Sequence, residues 1–337
     1  MSTEQRENLE AILRQSVFPA GSDFNAIHPL DPEDASAIIP IRTAARFAKG
    51  APLSAGARTQ FDAFMERVSP REDVTFESGT LGDIPGLWVQ PASSRSGEAI
   101  LHLHGGWFNF GSAKAYRHLV GHIAARAGAR AFVPDYRLAP EQPFPAAVDD
   151  VLACYRGIDE SGIRRIAITG DSAGGNLALV LASCVSAQAV SAKATLVGTA
   201  ALSPVTDLTL SGATYESRAA ADPLFTRPQV AELVRSYLGS ADANDPLASP
   251  LQGRFSGLPP LRIHVGDDEV LLDDSRRYVE RAVAAGVDAR LDVWMGMPHG
   301  FVSSIGTVKA SEQALDAIGI FLTERLQAGI RDPLCHV

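Results

Sequence analysis

Cysteine is scarce in this chain: Cys154, Cys184 and Cys335 are the only three among 337 residues. An odd count at wide spacing builds neither a disulfide framework nor a zinc knuckle. Basic charge is also short. Lys and Arg number 30 against 39 Asp and Glu, a net charge of −9. Nucleic acid and anionic lipid therefore find no counter-charge, and a polyanionic substrate is not expected. No basic run, repeat or low-complexity segment is present. Residues 1–10 are acidic and polar, unlike a secretory leader. The longest uncharged stretch, 172–192, could span a bilayer by length, but it carries Ser, Asn, Gln and many small residues. A buried helix is the expectation there, not a membrane span. Together these shortages fit a reduced, cytoplasmic protein.

What the chain does have is core. Apolar residues make up 46% and charged residues 20%, enough to bury a large interior without covalent staples. The N-terminal part to residue 69 reads as helices. Asp31-Pro32 with Glu33 and Asp34 behind it is a helix start, and Ser54 is a candidate cap for a second helix running to about residue 68. From residue 74 the pattern changes. Short apolar strands are expected at 74–77, 87–90, 99–104, 130–134, 166–169, 195–202, 261–265 and 289–294. Helices are expected at 173–189, 271–285 and 308–327. This alternation predicts an α/β chain with a mostly parallel sheet covered by helices on both faces. Residues 206–252 break the rhythm, being turn-rich with one helix near 228–238. The expected organisation is a helical cap from 1–69 and 206–252 over a core formed by 70–205 and 253–337. The last strand, 289–294, is expected at the sheet edge, which would offer a route to a homodimer.

The strongest chemical signal is Gly170-Asp171-Ser172-Ala173-Gly174, a G-x-S-x-G between a predicted strand and a predicted helix. That turn is sharp, so small residues are needed two before and two after the serine. It would expose the Ser172 hydroxyl at the N-terminus of a helix, where free N–H groups favour a developing anion. A second signal is His104-Gly105-Gly106-Trp107, directly after a strand. Paired glycines let backbone N–H groups approach a substrate oxygen, so Gly105, Gly106 and Ala173 are candidate oxyanion donors.

A base should follow the serine in sequence. His299, in a loop after the last predicted strand, stands where a base belongs. His264 lies inside a strand and reads as core, as does His102. His118 and His122 are spaced i, i+4, but Leu119 occupies the place where a metal-dependent hydrolase would carry glutamate. No metal or cofactor is expected. For the acid, the run Gly266-Asp267-Asp268-Glu269-Val270-Leu271-Leu272-Asp273-Asp274 offers five carboxylates. Asp273 and Asp274 belong to the first turn of the next helix, leaving Asp267, Asp268 and Glu269.

Together these residues resemble the hormone-sensitive-lipase-like family of α/β-hydrolase esterases over roughly 74–326. His104–Gly111 looks like the family's H-G-G-G-F-x-x-G, residues 135–141 like its D-Y-R-L-A-P-E loop, and residues 170–176 like its G-D-S-A-G-G-N elbow. Ser203-Pro204, Asp222-Pro223-Leu224 and His299-Gly300-Phe301 are similar to further family positions. The resemblance implies an α/β-hydrolase fold and a serine esterase of short- to medium-chain carboxylic esters. It implies Ser172 as nucleophile, His299 as base, and Gly105, Gly106 and Ala173 as oxyanion donors. Alignment on residues 271–274 implies Glu269 as the acid. A lactonase or amidase would use the same triad, and a ligand-binding protein on a dead scaffold is the remote alternative. One departure stands out: Trp107 replaces the family's third glycine, which makes it a candidate substrate-pocket residue.

Overall fold

The structure, a computed structural model, describes residues 24–50 and 55–328. Ser54 and Cys335 lie outside the described residues. In chain order the elements are β1 (Asn25–His28), α1 (Pro32–Ala48), α2 (Arg58–Met65), β2 (Val74–Leu81), β3 (Ile84–Pro91), β4 (Glu98–Leu103), α3 (Ala113–Ala127), β5 (Arg130–Pro134) and α4 (Ala146–Gly157). They continue with β6 (Arg165–Asp171), α5 (Ala173–Ser186), β7 (Thr195–Leu202), the short α6 (Thr214–Ser217), α7 (Arg227–Leu238), β8 (Leu261–Gly266), α8 (Leu272–Ala284), β9 (Ala289–Trp294) and α9 (Lys309–Gln327).

The strands form one sheet in the order β1-β9-β8-β7-β6-β4-β5-β3-β2. Only the β2–β3 and β3–β5 pairs are antiparallel. Side chains alternate along β4: Ala99, Leu101 and Leu103 enter a core shared with α4 and α5, while Ile100 enters a second one shared with α3 and α9. A strand covered on both faces reads as a continuous apolar run, which is why 99–103 and 166–168 lack polar alternation. Residues 172–192 contribute the buried helix α5. No described helix is long and apolar enough to cross a membrane.

The sheet also corrects two expectations. The N-terminal part is not purely helical, because β1 pairs in parallel with β9 from Asn25↔Leu291 to His28↔Trp294. Consequently 289–294 is not an edge. It is paired on both sides, and a dimer through its open side is ruled out by β1 itself. Four residues with one turn's worth of apolar character leave too little pattern to read as a strand. The β2–β3 hairpin also runs longer than expected, to a Gly82-Asp83 turn in which both residues have positive φ. Pro85 and Gly86 obscure that strand in the sequence.

Helix α1 starts as anticipated, with Asp31 accepting from the Glu33 amide. Basic side chains from this region reach across to residues 206–252. Arg42 donates to the Ala221 carbonyl (3.0 Å), and Lys49 to the Ala219 carbonyl (2.7 Å) and to that of Asp222.

Candidate active site

All the residues singled out for chemistry follow the carboxyl ends of parallel strands, where open α/β sheets bind ligands. Ser172 sits between β6 and α5 at φ 53°, ψ −117°. A non-glycine residue there is strained. The strain is imposed by packing on both sides. A Cβ on Gly170 would lie 2.2 Å from the Gly174 carbonyl oxygen, and one on Gly174 would lie 1.9 Å from that of Leu103. Only glycine lets the elbow close against the strand carrying His104. The Ser172 amide donates to the Leu202 carbonyl at 2.8 Å, which fixes the turn onto the end of β7.

His299 lies in the loop after β9, and its Nδ1 is 2.8 Å from Glu269 Oε2. Glu269 is fully buried. Its Oε1 accepts from the Gly266 amide and from the Ser203 hydroxyl, both at 2.7 Å. Three bonds to one buried carboxylate hold its rotamer. The other two acidic candidates are engaged elsewhere. Asp267 accepts from the Gly296 amide and faces Arg218 at 3.9 Å, while Asp268 pairs with Arg42. Burial, with Asp268 beside it, pushes the Asp267 carboxyl up to about 6. Of the three loop carboxylates, it is therefore Glu269 that meets His299. Burial pulls the His299 pKa down, but the Glu269 charge and hydrogen bond, helped by Asp222 and Asp171, outweigh it and hold the imidazole above its ordinary value.

Ser172 reaches this pair through backbone neighbours: its amide bonds Leu202, and the next residue, Ser203, bonds Glu269. Among the described residues, the Ser172 hydroxyl and the His299 ring share no hydrogen bond. Such contacts commonly tighten only once substrate is bound.

The loop after β4 turns through Gly106 (φ 117°), Trp107 (φ 52°) and Phe108 (φ 62°). Its carbonyls are each tied down from outside or behind. Gly105 O lies 2.9 Å from His104 Nδ1, and Gly106 O accepts from the Asn109 and Phe110 amides at 3.0 and 2.9 Å. Trp107 O accepts from Asn109 Nδ2 (2.6 Å), Phe108 O from the Ala139 amide (2.9 Å) and Asn109 O from Arg58 Nε (2.7 Å). With the carbonyls held this way, the loop is pre-set to present amides. Gly105 packs tightly: a Cβ on it would lie 2.3 Å from Asp171 Oδ2, whose carboxylate accepts from the Tyr116 hydroxyl at 3.1 Å.

The 135–141 loop supplies much of this buttress. Asp135 accepts from the Ala113 amide at the start of α3, and Tyr136 donates to the His104 carbonyl (2.7 Å). Arg137 forks onto Asp150, and Glu141 pairs with Arg58. The Trp107 ring is buried and meets Phe225 edge-on (5.4 Å, 86°). Phe225 in turn meets His299 (5.2 Å, 68°).

Histidines outside this site have structural roles. His264 lies beneath Trp294, whose Nε1 donates to His264 Nδ1 (3.2 Å). His102 Nδ1 lies 2.9 Å from the Thr169 hydroxyl. Among the described residues no group of His, Cys, Asp and Glu could hold a metal ion. Burial raises the Cys154 and Cys184 thiols, which makes them inert. Sequence reasoning gave no role to Ser203, Asn109, Asp222 or Phe225. The Ser-Pro and Asp-Pro-Leu dipeptide patterns were the visible signals for two of them.

The fold has counterparts among known proteins. The α/β-hydrolase fold family matches residues 100–303. An acetyl-hydrolase of Streptomyces hygroscopicus is 36% identical over 256 residues, covering 75% of this chain and 84% of that protein. A carboxylesterase of Mycobacterium tuberculosis is 32% identical over 255 residues, covering 72% and 79%. A solved esterase of the bacterial hormone-sensitive lipase family superposes with a TM-score of 0.81 at 35% identity, covering 88% of this chain and 99% of that one.

Proposed function

This chain belongs to the α/β-hydrolase fold family and, within it, to the bacterial hormone-sensitive-lipase group of carboxylic ester hydrolases, and on that premise we propose that it is a serine carboxylesterase of short- to medium-chain esters. The observation that carries the reading is the Glu269–His299 hydrogen bond at 2.8 Å, formed at the sheet edge where the strained Ser172 elbow stands. In this reading His299 takes the Ser172 proton as the hydroxyl oxygen attacks the ester carbonyl. Glu269 fixes the imidazole tautomer and stabilises the imidazolium. The C–O bond to the alcohol then breaks, and His299 donates the proton to that leaving oxygen. Water, deprotonated by the same imidazole, attacks the acyl-Ser172 ester, releases the acid and restores the serine.

Gly106 and Ala173, with Gly105, are the proposed oxyanion donors. Residues 1–69 and 206–252 are read as the cap over the core, with Trp107 and Phe225 shaping the pocket beneath it. The relative named acetyl-hydrolase supports a small acyl group in this reading. The test is hydrolysis of a p-nitrophenyl ester series beside lactones and amides. Activity on the shorter esters, lost in Ser172→Ala, is expected. Turnover confined to amides or lactones would overturn the substrate assignment.

A further inference from the structure

The Asp222-Pro223-Leu224 segment lies in the cap region, yet its carboxylate reaches the loop that carries the proposed acid. Asp222 is fully buried. Its Oδ2 accepts from the amide of Val270, the residue after Glu269, at 2.9 Å. Its Oδ1 accepts from the amides of Leu224 (2.7 Å) and Phe225 (3.0 Å). One carboxylate thus spans two segments 48 positions apart in sequence. On one side it holds the Glu269–Val270 backbone. On the other it sets the start of the Phe225 residue, whose ring meets His299 at 5.2 Å and Trp107 at 5.4 Å. The far side of the segment is held by Arg42 of α1 on the Ala221 carbonyl and by Lys49, just past that helix, on that of Asp222.

We propose that Asp222 is a positioning residue for the triad: its carboxylate fastens the cap segment 218–225 to the backbone bearing Glu269 and so seats the Phe225 ring over His299. The inference rests on the esterase reading above. Three amide bonds to a buried carboxylate are strong because the acceptor is charged, and a carboxylate can satisfy three donors where a carboxamide cannot. The pairing therefore selects Asp over Asn at this site. The same anion contributes to the field that favours the imidazolium.

The charged and titratable groups around the pair are known. Glu269 and Asp171 face His299 with Asp222. Asp267 and Asp268 lie on the acid loop, paired towards Arg218 and Arg42. Lys49 touches the Asp222 carbonyl, and Tyr215 feels the Asp222 charge. Removing the negative charge of Asp222 lowers the affinity of His299 for a proton, so the acid limb of a kcat/KM profile moves to lower pH. Removing the Phe225 ring rehydrates the imidazole and relieves the burial that depresses its pKa, so the limb moves to higher pH. Two variants of one contact thus shift the limb in opposite directions, which a merely structural role would not produce.

The experiment is the pH dependence of ester hydrolysis by wild type, Asp222→Asn, Asp222→Glu and Phe225→Ala, normalised to sites labelled by a fluorophosphonate. Asp222→Asn is expected to lose about tenfold or more in per-site kcat with little change in KM, a loss of the size that misplaced catalytic groups bring. Its acid limb should move down. Asp222→Glu keeps the charge and should keep the wild-type limb. An Asp222→Asn enzyme that loses only labelled fraction or melting temperature, with per-site kcat and limb unchanged, overturns the inference. Should that variant fail to fold, a Phe225→Ala enzyme with an unmoved limb overturns it instead. The esterase reading fails separately, if wild type is neither labelled nor active on esters.

Discussion

At the scale of single residues, the site is built from side chains that would cost stability elsewhere. Ser172, Trp107 and Ser203 all hold positive φ, a conformation that costs of order 1 kcal/mol or more for a residue with a Cβ. At Trp107 the family's glycine would avoid that cost, so the indole is kept against a backbone preference. Trp107→Gly should relieve the strain yet empty the space against Phe225. An ester panel is expected to show longer acyl chains gaining relative to acetate, and an unchanged profile would remove Trp107 from substrate selection. Glu269→Gln keeps the shape but swaps an acceptor for an amide, which leaves the imidazole without its fixed tautomer. Per-site kcat should fall on the order of 10³–10⁴-fold, while Asp267→Asn should cost far less, since Asp267 touches Gly296 and Arg218 instead.

Elements act on the site mainly by clamping its loops. The loop after β4, proposed to carry the oxyanion donors, is held by α7, where Ser236 donates to Asn109 Oδ1 (2.7 Å) and the Tyr237 ring stacks on Phe108 (3.7 Å, 9°). Arg58, at the start of α2, bonds the Asn109 and Ala139 carbonyls, each at 2.7 Å. Asn109 is therefore the point where two helices, α2 and α7, agree on one loop geometry. Asn109→Ala removes the bond to the Trp107 carbonyl and leaves Ser236 unpaired. A net hydrogen bond is worth about 1 kcal/mol, so melting should fall only a few degrees. Oxyanion geometry is less forgiving, and kcat should fall about 10- to 100-fold with KM little changed. An unchanged kcat would show that the loop does not depend on this clamp. The helix and strand positions behind these contacts were largely visible in advance, because apolar runs and caps are local. The clamps were not, because each joins residues more than 50 positions apart.

The whole molecule adds a pH dependence that no single loop carries. Burial holds the His264 imidazole down to about 4 from an ordinary 6.5, outweighing the nearby Asp292. A base whose folded pKa is depressed gives stability that is complete above 6.5 and lost as pH falls towards 4. Buried Asp267 and Asp274, raised to about 6 and about 7, act the other way. Their contribution is complete below the ordinary carboxylate value and is lost as pH rises through those values. The difference between wild type and His264→Gln isolates the first effect. The glutamine variant, which can still accept from the Trp294 indole, should narrow the wild-type loss of melting temperature on acidification. An equal slope in both proteins would refute the assignment.

The sequence by itself determined the alternation of helices and strands, the G-x-S-x-G elbow, the paired glycines and the histidine loop. These are short-range patterns whose physical cause lies within a few residues: steric relief at a turn, apolar periodicity, a helix start. Tertiary structure decided the rest. Three adjacent carboxylates, Asp267, Asp268 and Glu269, are equivalent as local chemistry, and only the loop's path sends Glu269 to His299 and the others to Gly296 and Arg42. The covering of β9 by β1 and the reach of Asp222 from cap to acid loop belong to the same class. They depend on which distant backbone amides are left to satisfy after the chain has folded, and that demand is set by packing, not by neighbours in sequence.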